Sequence, residues 1–307
     1  TLSAPHKPPL PGADAPPTRR WNYAGRQSTE GIAMEELQGP LAGTRIDEGR
    51  LECVDQGAQV LTWQPAGARP VLWLSPAARY EEGRSVRGGA PVCFPWFGVG
   101  RGEPHDPVHG FVRTAPWERV AVDRTHVEYR ITNAATGAQP RWPHPYSATL
   151  RVRVTPDSLR IELEVTNTGE EEVSFENAIH SYLAVGDVER VRVEGLDGAE
   201  FDDYVVGGTG KQVGDLVLEG PPDRVYRSAA DVVVTDPAWE RTLLVRKEGS
   251  ANTVVWNPWR EHATDMDDFP ADGWQGMLCI EAANARDDAI FLAPGRSHVL
   301  AQEICLR

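Results

Sequence analysis

The chain has 307 residues, 31 basic against 45 acidic, for a net charge of −14. A chain of this length buries roughly three quarters of its unfolded surface and needs no disulfide staples, and an acidic surface without a basic stripe argues against nucleic acid as a partner. The four cysteines, Cys53, Cys93, Cys279 and Cys305, are scattered and form no C-x-x-C pair, which argues against a zinc site and a disulfide framework and suits a reducing compartment.

Along the chain, no apolar run approaches the roughly 18 residues of a membrane span, and the N-terminus lacks a signal-peptide pattern. The expectation is a cytoplasmic protein with no membrane partner, monomeric rather than oligomeric. Residues 1–30 are rich in proline and poor in apolar side chains, which predicts a loosely ordered arm. From residue 31 onward short alternating stretches recur between Gly, Pro, Asp and Asn. They include Ala58–Trp63, Val71–Leu74, Trp117–Val122, Val127–Ile131, Ala148–Val154, Leu159–Asn167, Glu172–Asn177, Thr242–Arg246, Thr253–Trp256, Met277–Glu281 and His298–Ile304. Arg160-Ile161-Glu162-Leu163-Glu164-Val165 is a period-two alternation, the signature of a strand with one buried and one wet face. The best helical stretch, Glu261–Asp268, is short and stops before Pro270. Many short strands at close intervals predict an all-β sandwich in one domain, residues 31–307.

Four segments could carry chemistry, and the first two have compositions poor for an ordinary strand. Arg87–Gly98 combines paired glycines, two prolines and three aromatics, a rigid loop where backbone can approach a ligand or where an aromatic plug fills space. His109 and Arg113 follow a flexible 100–107 stretch and point to one side if their segment is extended. His180 lies among apolar neighbours, where a satisfied core histidine is the ordinary reading. Glu281 ends an apolar strand with little polar company; a carboxylate there is either a structural ion pair or functional, because burying it unpaired is costly.

Taken in order, Arg87-Gly88-Gly89-Ala90-Pro91-Val92-Cys93-Phe94-Pro95-Trp96-Phe97-Gly98, His109-Gly110-Phe111-Val112-Arg113, Asn177 through His180-Ser181-Tyr182, Asn257-Pro258-Trp259 and Cys279-Ile280-Glu281-Ala282-Ala283-Asn284 resemble the galactose-mutarotase-like superfamily, in its hexose-6-phosphate branch. The likeness covers most of residues 35–307. It implies a galactose-mutarotase-like β-supersandwich that requires no metal or organic cofactor and acts on a sugar phosphate. It further implies His180 as general acid and Glu281 as general base, with Arg87, His109 and Arg113 lining the cleft. Asp223, supported by the looser D-x-x-Y pattern at Asp223–Tyr226, is implied as a ligand of sugar hydroxyls. Val108 stands where relatives often carry a glutamine that contacts substrate, and the N-terminal arm lies outside the family pattern.

The implied chemistry suits these side chains. Anomer exchange opens a hemiacetal and closes it on the other face, so one base for the anomeric hydroxyl and one acid for the ring oxygen suffice. A glutamate with an ordinary pKa near 4.3 is ionised at neutral pH, and a histidine near 6.5 is partly protonated, more so beside a carboxylate. Arg87 and Arg113 offer planar forks suited to phosphate, the local positive charge that an acidic protein needs to hold an anionic substrate. Two alternatives remain open at this level: an epimerase of unphosphorylated sugars, and a non-catalytic carbohydrate-binding sandwich using Trp96, Trp259 and Trp274 as platforms. A regulatory interaction role has no sequence feature in its favour.

Overall fold

The alternation read at 159–165 is carried into space directly. In the strand Ser158–Asn167, Leu159, Ile161, Leu163 and Val165 are buried, while Arg160, Glu162 and Glu164 face out. The computed structural model describes residues 35–307 except 38, 47–50 and 103; the expected arm, residues 1–30, lies outside the described residues. Two antiparallel sheets dominate. The nine-stranded sheet runs Leu216–Val217, Arg192–Glu194, Val232–Asp236, Arg241–Glu248, Ser297–Leu306, Ser158–Asn167, Tyr146–Val154, His126–Thr132 and Glu118–Val122. The eight-stranded sheet runs Thr209–Lys211, Glu200–Asp203, Asp223–Tyr226, Asn252–Trp256, Met277–Asn284, Asn177–Ile179 and Val92–Cys93, with Tyr182–Ala184 also paired to Met277–Asn284. A four-stranded sheet, from Glu35–Glu36 to Gln59–Trp63, and a two-stranded ribbon, Val173–Phe175 with Ile290–Leu292, complete the strands of the described residues.

The main core draws on both large sheets: Ile280 and Ala282 from one, Leu300, Ile304, Leu163 and Val152 from the other. One polar tie crosses it. Ser181 Oγ donates to Gln302 Oε1, and Gln302 Nε2 donates to the Ile280 carbonyl at 2.8 Å, so a buried carboxamide is satisfied at both ends. On the outer face Arg151 reaches Glu128, Glu162 and Glu164 at 3.1, 3.2 and 2.8 Å. These pairs are partly buried but face solvent, and such pairs contribute little individually.

Strand expectations fail where side chains do not alternate. Val71–Leu74 is not a strand; it makes only isolated bridges, Leu72 to Leu183 and Leu74 to Gly88. The helical stretch expected at 261–268 is the single turn Trp259–Ala263. Its start is fixed by Asn257, whose Nδ2 donates to the Trp274 and Met277 carbonyls at 2.8 and 2.7 Å while its Oδ1 accepts from the Trp259 N–H at 2.7 Å. The Asn-Pro-Trp motif is therefore a structural brace.

Register sets what one face of the eight-stranded sheet displays. Asp223, Trp256, Cys279 and Tyr182 are paired in one row, and Asp202, Val225, Val254 and Glu281 in the row two residues along. Because side chains alternate with period two, both rows point to the same side.

Candidate active site

That face is the floor of a cleft of about 470 Å³, a size that suits a small molecule. All six residues singled out in the sequence line it: Arg87, His109, Arg113, His180, Asp223 and Glu281. They arrive from different elements. Glu281 lies within Met277–Asn284, and His180 follows Asn177–Ile179, the strand paired beside it through Ile179 and Ala282. Arg87 opens the double-glycine loop. A side chain on Gly89, whose φ is +66°, would meet the Val60 carbonyl oxygen at 2.1 Å, so the loop lies too close to its neighbour strand for any other residue.

His109 and Arg113 reach the cleft by a route other than the expected one. Their segment is not extended: His109 has φ 68°, and Val112–Thr114 is a 3₁₀ turn. Gly110 makes this bend possible, since a Cβ there would sit 2.0 Å from the Phe94 carbonyl oxygen. His109 Nδ1 accepts from the Gly98 N–H at 3.1 Å, so the neutral ring carries its proton on Nε2. Burial, and then the charges of Arg113, His180 and Arg87, hold its pKa well below 6.5, which keeps it a neutral donor.

His180 Nδ1 lies 3.3 Å from Glu281 Oε1. The contact is one of proximity without hydrogen-bond alignment: that nitrogen and both Glu281 oxygens are buried with no hydrogen-bond partner among the described residues. His180 is 6 % exposed and Glu281 0 %. Burial drives the two groups toward their neutral forms. Glu281 is pushed well above 4.5 by desolvation and then by the charge of Asp223, against Arg113. His180 is pulled down to about 3 by desolvation and then by Arg113 and Arg87. The expectation that a neighbouring carboxylate raises the protonated fraction of His180 is thus reversed, because desolvation and two guanidinium groups act together against the imidazolium.

Arg87 donates to Asp268 Oδ1 at 3.1 Å and to the Tyr182 hydroxyl at 3.3 Å. Arg113 donates from Nη2 to Ser85 Oγ at 2.8 Å, leaving its buried Nε unpartnered. Burial and the nearby Asp203 raise Asp223 above its ordinary pKa. Val108 also lines the cleft and is 48 % exposed, presenting a methyl surface instead of a polar amide.

Sequence reasoning missed Arg286 and Tyr204, which share the lining. Arg286 Nε donates to the Tyr204 hydroxyl at 3.0 Å and Nη1 to the Gly100 carbonyl at 2.7 Å, joining two loops at the cleft. Its backbone N–H donates to Glu176 Oε1 at 2.6 Å. The available signal was slight, an arginine five positions past Glu281 inside a charged turn. The proposed platforms Trp96, Trp259 and Trp274 are at most 5 % exposed and absent from the lining; Trp256 takes that place. For metal ligation, one atom each of His180, Cys279 and Glu281 lie within 4.8 Å of one another. All four cysteines are free thiols, and no helix among the described residues is long and apolar enough to cross a membrane.

Stacked antiparallel sheets whose cleft joins an imidazole to a carboxyl under a set of arginines define a sugar-epimerase architecture, and the family profile of aldose 1-epimerase matches residues 44–305. The chain belongs to that family. It is 33 % identical over 288 residues to a protein of Escherichia coli (strain K12) provisionally named glucose-6-phosphate 1-epimerase, covering 88 % of this chain and 95 % of that one. A protein of Cenchrus ciliaris with the same provisional name is 33 % identical over 256 residues, 78 % of this chain and 76 % of its own. The crystal structure of a provisionally named mutarotase from Salmonella typhimurium superposes with a TM-score of 0.75 at 29 % identity, covering 90 % of this chain and 96 % of that one. The galactose-mutarotase-like fold read from the motifs is the fold found.

Proposed function

We propose that this chain interconverts the α and β anomers of a hexose 6-phosphate, with glucose 6-phosphate the substrate to which the relatives' names point. The observation that carries the reading is the His180–Glu281 pair, 3.3 Å apart on the floor of a cleft that Arg87 and Arg113 also line.

The pair works as a unit sharing one proton. With that proton on His180, the imidazolium is the acid for the ring oxygen and the Glu281 carboxylate is the base for the anomeric hydroxyl. Ring opening delivers the His180 proton to the sugar and takes the hydroxyl proton onto Glu281, leaving neutral histidine and neutral acid. Rotation about C1–C2 and the reverse transfers close the other anomer and restore the starting state. The buried cleft favours the neutral pair, so ring opening relieves the desolvation of two charges at once. Hydrogen bonding by the bound sugar to both charged groups offsets that preference in the closed-ring complex. His109, held as a neutral donor, and Asp223 bind sugar hydroxyls. Arg113 and Arg87 take the phosphate, whose dianion is drawn to guanidinium forks with donors to spare. No hydride, metal or covalent intermediate enters the sequence of steps.

A coupled anomerisation assay with glucose 6-phosphate and free glucose tests this. The wild type is expected to act on the phosphorylated sugar with a kcat/KM at least tenfold higher, and His180→Ala to lose about 10²-fold or more of turnover while folded. Equal efficiency on both sugars would favour an epimerase of unphosphorylated sugars. Binding without turnover would make the protein a carbohydrate-binding sandwich.

A further inference from the structure

Cys279 has no part in the acid/base chemistry or in phosphate recognition and does not line the cleft, yet it lies on the strand face that carries Glu281. It sits two residues before Glu281 on the same strand face, paired on either side with Tyr182 and Trp256, whose rings lie 6.0 Å apart at 79°. It is fully buried. Its Sγ, a His180 ring nitrogen and a Glu281 carboxylate oxygen fall within 4.8 Å of one another.

Three observations on this group point to a cation. Thiolate, imidazole and carboxylate together are a donor set suited to zinc and its softer congeners. The 3.3 Å between His180 Nδ1 and Glu281 Oε1 equals the edge of a tetrahedron built from metal–ligand bonds of about 2.0–2.1 Å, so two of the three ligands already stand at coordinating separation. Finally, that nitrogen and both carboxylate oxygens are buried without hydrogen-bond partners, a state that ligation would relieve.

We propose that His180, Cys279 and Glu281 form a binding site for a soft divalent cation, Zn²⁺ or Cd²⁺, and that its occupation blocks the acid/base pair. The thiol proton leaves on ligation, and two anionic ligands neutralise the cation. Ligation requires the sulfur to close in from that 4.8 Å spread, and the fourth position is left for water or a sugar hydroxyl. Motif spacing does not reveal such a site, because its ligands come from one strand and from a position just past another, about a hundred residues apart in sequence, at 180 and at 279 and 281.

The inhibitory half rests on the acid/base reading above; the binding half does not, and the experiment separates them. Titration of the full chain with Cd²⁺ alone is expected to raise a thiolate-to-metal charge-transfer absorption that saturates at one equivalent. The band should vanish in Cys279→Ala and persist in Cys93→Ala. Zn²⁺ should suppress glucose 6-phosphate anomerisation at least tenfold, a chelator should restore it, and Cys279→Ala should turn over without metal while needing at least tenfold more Zn²⁺ for the same suppression. Circular dichroism checks the fold, and Cys279→Ser replaces the alanine variant if that one unfolds. A band that survives loss of Cys279, a band lost equally in Cys93→Ala, or full turnover with the site saturated would overturn the proposal. A Cd²⁺ band in a chain that anomerises nothing would uphold the site and remove the epimerase reading.

Discussion

Replacing Glu281 by glutamine removes a titrating carboxyl at constant shape, and neither oxygen has a hydrogen-bond partner to lose. Desolvation first, then Asp223, lifts the folded-state pKa well above 4.5, so the folded chain holds this proton more tightly than the unfolded chain does. Stability from such a group is fully present below the unfolded value, near 4.3, and is lost as pH rises toward the folded value. Each pH unit within that window removes about 1.4 kcal/mol, or ~3 °C of melting temperature for a chain of this size. The glutamine variant escapes the loss. Its melting temperature is therefore expected to gain on the wild type progressively from pH 5 to pH 7, while turnover falls by about 10²- to 10⁴-fold. His180 has the opposite sign: with its value down at about 3, stability linked to it grows as pH rises from there to its unfolded value near 6.5. Both proteins share that contribution, and subtracting the melting curves removes it. The assay is thermal unfolding by circular dichroism at half-unit pH steps, beside coupled turnover. A melting difference that stays flat with pH would refute the buried-carboxyl argument, and wild-type turnover would refute its role as base.

Two further outcomes follow from the geometry. Arg113→Ala is expected to raise KM for glucose 6-phosphate tenfold or more, the worth of a charge-assisted contact, with a change of less than about twofold for free glucose; parallel rises would remove Arg113 from the phosphate site. Ser181→Ala strands the buried Gln302 carboxamide and should cost about 1–3 kcal/mol in urea unfolding; a loss under ~0.5 kcal/mol would show that the tie between the sheets is dispensable.

The sequence was legible wherever a single strand faces core on one side and water on the other. Ser158–Asn167 declares itself by alternation, and Met277–Asn284, buried along its whole length, by an unbroken apolar run that ends on a carboxyl. Short or edge strands such as Thr209–Lys211 and Leu216–Val217 are too brief to show a period and went unread. Cleft membership of Arg87, His109, Arg113, His180 and Glu281 followed from ordered motifs, and that of Asp223 from the looser D-x-x-Y pattern. The path taken by His109 did not, because a left-handed backbone at a non-glycine residue leaves no trace in composition. Arg286 and Tyr204 were missed for a related reason. Their meeting depends on how two loops fold over the sheet, and nothing local marks either residue. The protonation of the pair was misjudged because solvent exclusion, which decides it, is a property of the assembled cleft.

The pairing of Ile179 with Ala282 has a wider consequence. It fixes the spacing of imidazole and carboxyl through main-chain ladder bonds, the stiffest connection available to the chain. The guanidinium groups, by contrast, hang on connecting segments between strands: the loop at Arg87 and the short 3₁₀ turns Val112–Thr114 and Arg286–Asp288. Exchanging those loops for others should therefore redirect which sugar is gripped while the machinery that moves protons keeps its dimensions. The architecture separates a fixed reaction centre from an interchangeable mouth.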